Sequence, residues 1–473
     1  MKTSSYAMAR MLGTWQDGAG PAHQRLSDRL RLLVLDGRLS LGAVLPSERD
    51  LATALRISRT TVGAAYRTLV EDGYLATRAR TRATVRLPDD APSGRRAAGP
   101  EAPAGPAAVD LSIAAPPAPV EILHAAFATA LEQLPRHLER HGYDRYGTAE
   151  LREAVAAWYE RRGLPTSPDR ILITNGAQHA VALLARALLS PRDRVLIEHP
   201  TYPHAIKAFT EARARLLPVS VVPSGWDVAQ FRAAGRTAQL AYLIPDFHNP
   251  TGMCMPTEVR GRLGLSCPTV IDETLTDLAL DGGPSPVPYA TLTPAPLPTV
   301  ISVGSVSKSI WGGLRIGWIR AVPSLLRRVE QIRPATDLGT PVVEQLATAV
   351  LLSAGQTRRP GALARLATQR DVLRQALAEH LPEVHAPRAA GGVTLWATFP
   401  EPLTSRLAAV APDHGVVIAA GPRFGIGGAF ERNIRLPFTL PADQLSEGVR
   451  RLAQAVRALN QGGTGTHTPA PVA

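Results

Sequence analysis

The stretch GSVSKSIWGGLRIGW, Gly304 to Trp318, decides how the larger part of this chain reads. Lys308 is one of only three lysines among 52 basic residues; the other 49 are arginine. A guanidinium keeps its charge and cannot act as an amine nucleophile. A lysine desolvated beside other cations can lose its proton and form a Schiff base with an aldehyde. A chain that uses arginine almost everywhere else therefore has a chemical reason to hold lysine here. The segment follows the strand-like run TVIS, and Ser305, Ser307 and Arg315 supply hydroxyl and charge-assisted donors of the kind a phosphate takes.

Outward from this stretch, strand-like runs alternate with helical ones. RILIT precedes AQHAVALLARALL, RVLIEHP precedes a second helical stretch, and AYLIP, TVIDE and TVISVGS follow. Such alternation predicts a largely parallel α/β sheet with ligands at the carboxyl ends of its strands. The informative residues fall at those ends. TNGAQHA opens a helix, so Gly176 with the backbone N–H groups of Ala177 and Gln178 forms an anion cradle. Asp272 ends VIDE, where a carboxylate can pair with a protonated pyridine nitrogen. Asn249 of HNPTG can bond a ring hydroxyl, and Tyr202 of EHPTYP can stack on a flat ring. Taken singly, each has a plainer reading as a helix start, a buried acid, a turn or a core aromatic. Taken together and in order, they match pyridoxal 5′-phosphate, with Lys308 bonding its aldehyde.

From Val109 to about Leu459 the chain resembles the fold-type I, class I/II aminotransferases. The resemblance implies Lys308 as the Schiff-base lysine, Asp272 as the pyridine-nitrogen partner, Asn249 as the O3′ ligand and Tyr202 as the stacking ring. It places Gly176, Ala177, Gln178, Ser305, Ser307 and Arg315 on the phosphate. GYDRYGTAELREAV resembles the segment that reaches the neighbouring subunit's phosphate, which implies Tyr143 as a donor and a homodimer. NIRLPF resembles the motif whose arginine grips a carboxylate, here Arg435, in the bidentate manner open to a guanidinium. One departure follows Asp272: the family's tyrosine two or three residues later is replaced by Thr274 and Leu275. Loss of that phenol argues against fast transaminase turnover.

The N-terminal part reads differently. Leu26, Leu30, Leu33 and Val34 keep the spacing of one helix face, and Gly37 is placed to end it. In LPSERDLATALRISRTTVGAAYRTLVEDGYL, Ser47 with Asp50 opens a short helix bearing Leu51 and Leu55, and Arg56 and Ile57 turn the chain. Ser58 caps a third helix with Val62, Ala65, Tyr66, Leu69 and Val70 on one stripe, stopping at Gly73. Two short helices across a tight turn form a helix-turn-helix, whose second helix offers its N-terminal end to the major groove. YLATRARTRATVRLP then forms a two-stranded wing with Arg78, Arg80 and Arg82 near its tip. Helix periodicity alone fits any small helical domain with a solvated face. The turn, the small residues on the exposed face and the arginine-rich wing favour DNA. The stretch resembles the winged-helix domain of the GntR family, which implies DNA contacts from Arg49, Arg59, Thr60 and Thr61. The wing tip, RARTRAT, departs from the glycines usual in that family.

Composition agrees with this division. Net charge is +12, and residues 1–96 hold 16 basic against 9 acidic side chains, so the excess gathers at the end expected to meet a polyanion. Two cysteines, Cys254 and Cys267, exclude a disulfide framework and a thiol cluster with zinc spacing. The first residues lack the apolar run of a signal peptide, and AVALLARALL is interrupted by arginine far short of a membrane span, so a soluble, cytoplasmic protein is expected. The expected organisation is a two-domain protein. A winged helix-turn-helix occupies residues 20–87, a Pro/Ala/Gly-rich linker 88–108, an α/β aminotransferase-like fold 109–460 and a disordered tail 461–473. A GntR-type winged helix joined by a long linker to such a domain resembles the MocR family. That resemblance implies a pyridoxal-phosphate-dependent transcription regulator that binds double-stranded operator DNA and senses an amino-acid-like effector or the cofactor itself. The alternative is an active aminotransferase with a secondary DNA-binding domain, and steady turnover with a keto acid separates the two.

Overall fold

The N-terminal helices form where side-chain caps and apolar stripes coincide. In the computed structural model, which describes residues 4–13, 15–16, 20–35, 38–39, 42–77, 82–86, 108–292 and 300–462, they are α1 (Ser5–Leu12), α2 (Ala22–Leu35), α3 (Glu48–Leu55) and α4 (Arg59–Glu71). Ser47 Oγ accepts from the Asp50 amide and Ser58 Oγ from the Thr61 amide, each at 3.1 Å, satisfying donors that a helix start leaves open. Between the two helices Arg56 takes the left-handed conformation, φ 56°, that lets the turn be tight. Leu26, Leu30, Leu33, Val34, Leu51, Val62, Ala65, Tyr66 and Leu69 meet in one core, while Val70 is only half-buried against it. Strands β1 (Leu75–Ala76) and β2 (Thr84–Val85) pair antiparallel as the wing. Gly37, Arg78, Arg80, residues 87–107 of the linker region and the tail from 463 lie outside the described residues. The core also takes in α1, which contributes Met8 and Leu12, and Trp15 beyond it. A helix this short does not persist alone, so its stability comes from those buried side chains.

Residues 108 onward form two sheets. The strands are β3 (Val109–Leu111), β4 (Ile171–Thr174), β5 (Arg194–His199), β6 (Arg215–Val222), β7 (Gly225–Trp226), β8 (Leu240–Leu243) and β9 (Thr269–Asp272). They continue with β10 (Val300–Ser305), β11 (Gly317–Arg320), β12 (Thr394–Thr398), β13 (Val416–Ala420) and β14 (Asn433–Pro437). Among the described residues the large sheet has the order β4-β11-β10-β9-β8-β5-β6-β7 and the small one β12-β14-β13-β3. From β10 through β6 the large sheet is parallel. β11 runs antiparallel to both β10 and β4, so β4 points the same way as β10. The carboxyl ends of β4, β5, β8, β9 and β10 consequently share one edge. Their interiors are buried without alternation, as in Leu240–Leu243 and Ile171–Thr174, because helices cover both faces. No helix among the described residues is long and apolar enough to cross a membrane.

The winged helix rests on the small-sheet part of the second domain. Arg29 of α2 places Nη1 3.2 Å from Ser405 Oγ and 3.3 Å from Glu431 Oε1, and Asp28 pairs with Arg406 at 3.8 Å. Arg38 donates to the carbonyls of Pro422 and Gly425, both at 3.4 Å. Backbone touches backbone beside them: a Cβ on Gly428 would lie 2.7 Å from the Leu12 carbonyl oxygen.

Candidate functional site

The shared strand edge opens on a cavity of about 360 Å³. Lys308, four residues past the start of the quoted stretch, enters it from the turn after β10. Its Nζ donates to the Ala114 carbonyl at 2.7 Å. Burial, reinforced by the Arg435 and Arg315 charges and opposed by Asp272, pulls its pKa down to about 8. The amine therefore gives up its proton more readily than an ordinary lysine.

Asp272, at the end of β9, is buried, and burial raises its pKa against the hydrogen bonds it accepts. Tyr242 Oη donates to Oδ2 at 2.6 Å, while Thr274 offers Oδ1 its amide at 3.0 Å and its hydroxyl at 2.6 Å. The threonine that stands where a phenol was missed thus turns to the carboxylate. Asn249, just beyond β8, lines the cavity with its Oδ1 buried and unpartnered. A buried polar atom left without a bond costs about 1–3 kcal/mol, so this amide is set to meet a ligand group. Tyr202 N-caps the helix Pro203–Glu211 at the cavity wall, and burial together with the nearby Asp272 charge pushes its phenol up to about 12.

At the opposite end, Gly176 starts the helix Ala177–Leu188 with φ 84° and no side-chain cap, leaving its first amides open. A Cβ there would stand 2.8 Å from Arg315 Nη2, so glycine makes room for that guanidinium. Arg315, itself left-handed at φ 53°, is steered by the carbonyls of Asn175 at 3.0 Å and Gly312 at 3.3 Å. Ser305 Oγ lies 2.8 Å from both Ser307 Oγ and the Ile316 carbonyl, and it accepts from the Ser307 amide at 3.1 Å. With one proton to give, Ser305 buttresses the turn, and the Ser307 hydroxyl is the better placed of the two for a ligand.

Arg435, in β14, donates to the Ser112 carbonyl and lies over the Phe424 ring at 5.0 Å. Burial, with Arg423 as the next cause, pulls its pKa down to about 10. Tyr143 stands apart: it is 63% exposed and outside the cavity, so it does not serve the pocket of its own chain. Uncapped amides, an arginine, a depressed lysine, a buried carboxylate and an orphaned amide oxygen fit a planar aldehyde bearing a phosphate and a ring nitrogen.

The second candidate surface is a cleft of about 650 Å³ on the winged helix, lined by Arg49, Arg59, Arg67 and Arg82 among others. Arg59 is exposed and bonds Glu48 Oε2 at 3.2 Å, and Arg82 pairs with Asp50 at 3.6 Å. Thr60 and Thr61 hold their hydroxyls 2.7 and 2.8 Å from Ser58 Oγ at the start of α4. Arginines at a helix N-terminus beside a wing are the geometry of groove and phosphate contact.

Comparison with known proteins joins the two surfaces. Residues 109–452 match the model of aminotransferase class I and II, and residues 22–85 match that of bacterial regulatory proteins of the gntR family. The chain is 29% identical to the HTH-type transcriptional regulator TauR of Rhodobacter capsulatus over 93% of its own length and 97% of that protein. It is 28% identical to the probable rhizopine catabolism regulatory protein MocR of Rhizobium meliloti, covering 73% and 74%. The chain belongs to the MocR family. Among solved structures this MocR-type chain is similar to LysN, an α-aminoadipate aminotransferase of Thermus thermophilus in complex with N-(5′-phosphopyridoxyl)-L-leucine. The TM-score is 0.68 at 29% identity over 75% of this chain and 94% of that one. The fold is thus the aminotransferase fold, and the gntR-type module marks a DNA-binding regulator.

Several residues of this MocR-type site escaped sequence reading. Tyr242 pairs with Val270 in the parallel register, on the strand next to Asp272, and a tyrosine inside an otherwise apolar buried run was the signal available. Ser112 and Ala114, whose carbonyls hold Arg435 and Lys308, act through backbone and leave no signal in side-chain type. Arg423, Phe424 and His204 also line the cavity, and nothing in their spacing announced it.

Proposed function

We propose that this DNA-binding regulator holds pyridoxal 5′-phosphate at Lys308 and alters its grip on operator DNA when a small amino compound, or the cofactor itself, fills the pocket. The observation that carries this reading is the meeting of Lys308, Asp272, Asn249 and an uncapped helix N-terminus in one cavity of a chain that also bears a gntR-type module. Bound pyridoxal phosphate supplies an aldehyde open to amine exchange and an electron-withdrawing ring. The chain's own groups do the rest. The amides of Ala177 and Gln178, with Ser307 and Arg315, take the phosphate, Ser305 braces that turn, and Gly176 leaves the space. Asp272, kept in place by Tyr242 and Thr274, holds a proton on the ring nitrogen, Asn249 meets the ring hydroxyl and Tyr202 covers the ring. Lys308 Nζ would hold the aldehyde carbon of the bound cofactor, whose exchange with a second amine is the chemistry the cofactor would supply, and Arg435 would take the effector's carboxylate. Tyr143, exposed on its own chain, reaches a neighbour's phosphate in a homodimer. On the DNA, Arg49, Arg59, Thr60 and Thr61 meet bases and phosphates.

Effector and DNA are linked only by the difference in effector affinity between two states of the protein, typically about 1–3 kcal/mol. The test is borohydride reduction of the cofactor-loaded protein and peptide mass spectrometry, followed by DNA binding with and without candidate amines. A pyridoxyl-phosphate adduct on Lys308 and an effector response lost in Lys308→Ala, with basal DNA binding kept, are expected. Saturating cofactor with no adduct at Lys308 overturns the reading. Retention of Arg435 beside Lys308 favours a second reading, an active aminotransferase, and repeated turnover with a keto acid would establish it.

A further inference from the structure

The anion cradle at the end of β4 hangs on Asn175, which is gripped along its backbone and its side chain. Its backbone N–H donates to His179 Nδ1 at 3.1 Å, its carbonyl accepts from Arg315 Nη2 at 3.0 Å, and its Nδ2 donates to Asp337 Oδ2 at 2.7 Å. The first two contacts stay within the cradle, because His179 lies in the helix Ala177–Leu188 that the cradle opens. Burial, ahead of the opposing Asp337 charge, draws the pKa of His179 down, which suits its Nδ1 to accept. The third contact comes from 162 residues further along the chain. Asn175 Oδ1 is buried without a partner, so the bond to Asp337 is what holds this side chain. Asp337 does not line the cavity, and a carboxylate near a phosphate site repels the phosphate unless its charge is met. Arg333, fully buried, meets it: Nε lies 2.7 Å from Oδ1 and Nη2 3.1 Å from Oδ2. This fork leaves a neutralised acceptor of fixed direction. Arg333 also donates to the carbonyls of Ile173 in β4, at 2.7 Å, and of Arg145, two residues beyond Tyr143. Gly339 packs on the same segment, where a Cβ would lie 2.7 Å from the Asp144 carbonyl oxygen.

We propose that Asp337 is a positioning residue for the phosphate cradle: held by Arg333, it fixes Asn175, whose carbonyl aims Arg315 and whose peptide leads into Gly176 and the open amides. The carboxylate touches no ligand itself and acts through Asn175 alone. Because Arg333 grips the carbonyl of Arg145 as well, the same ion pair ties the cradle to the segment that carries Tyr143.

This inference rests on the cofactor reading, and the test separates the two. Cofactor-free full-length protein is titrated with pyridoxal 5′-phosphate and with pyridoxal, which carries the same aldehyde without the phosphate, and capture at Lys308 is followed by absorbance and by the borohydride adduct. The ratio of the two affinities isolates the phosphate contacts, and taking it within each protein cancels a general loss of affinity. The unaltered chain should prefer the phosphate form by about a hundredfold or more, the range of a few charge-assisted contacts. In D337N the ratio should fall about tenfold, and D337E should restore part of it. N175A leaves the Asp337–Arg333 pair intact and should lower the ratio by a similar factor. The double variant should fall no further, because both substitutions break one link. A ratio unchanged in D337N or in N175A, or losses that add in the double variant, overturns the inference and leaves the cofactor reading intact. Should D337N fail to fold, N175A decides alone on the same criterion. If the unaltered chain captures neither aldehyde at Lys308, the cofactor reading fails and this inference falls with it.

Discussion

Lys308 is the one side chain whose ionisation decides what the pocket can do. Its pKa of about 8 is set first by burial, then by two arginines, and it stands well below the ordinary lysine value of 10.5. Only the neutral amine attacks an aldehyde, so the rate of cofactor capture by the cofactor-free protein should climb as pH rises from about 6 to 9, with its midpoint near 8. Stopped-flow absorbance at the growing cofactor band measures it, and a midpoint near 10 would show an ordinary lysine. The linkage has the same sign. Between about 8 and 10.5 the unfolded chain binds the proton that the folded chain has lost, so this group adds to stability as pH rises through that window. Below about 8 its burial is a net cost.

The turn from β4 into the helix Ala177–Leu188 is where an element, rather than a side chain, makes the site. Gly176 at φ 84° does two things: it adopts a conformation that other residues take only under strain, and it keeps clear the space next to Arg315 Nη2. Gly176→Ala should therefore shift the guanidinium away from the open amides and weaken cofactor binding by about ten- to a hundredfold, with a strain cost of about 1–3 kcal/mol in thermal unfolding. A cofactor titration by absorbance reads the first effect and calorimetry the second. Elements of this kind were legible in the sequence because their signals are local. TNGAQHA, VIDE and SVSK each sit within a few residues of the strand that presents them, and Ser47 and Ser58 cap the helices that begin one residue later. What was not legible depends on register between segments far apart in the chain. The bond from Tyr242 to Asp272 spans 30 residues and exists because β8 and β9 pair in parallel. The carbonyls of Ser112 and Ala114 reach Arg435 and Lys308 across 323 and 194 residues. The place of α1 in the winged-helix core was hidden for another reason, since eight residues carry too little periodicity to separate a docked helix from a loose terminus.

At the scale of the whole molecule, pocket and DNA-binding module meet in one loop. Residues 421–431 put Arg423 and Phe424 into the cavity wall, and Phe424 lies beneath the Arg435 guanidinium. From the other side the winged helix grips the same loop: Arg38 holds two of its carbonyls, and Arg29 holds Glu431, whose carboxylate also takes the amide and hydroxyl of Ser405. The Arg29–Glu431 pair is buried, with side-chain exposures of 2% and 11%, so removing one partner strands the other charge at a typical cost of about 3–5 kcal/mol. In the docked arrangement that penalty falls directly on the contact between modules. Undocking the winged helix would relieve it by hydrating Arg29. Glu431→Gln keeps the size of the side chain and an acceptor for Ser405 but removes the counter-charge. It is therefore expected to leave the Lys308 adduct and the basal DNA affinity in place, while the effector-induced change in DNA affinity shrinks from about 1–3 kcal/mol towards zero. DNA titrations with and without effector, run beside hydrogen exchange at α2, check both halves: a full effector response together with unchanged exchange at α2 would mean that the signal travels by another route.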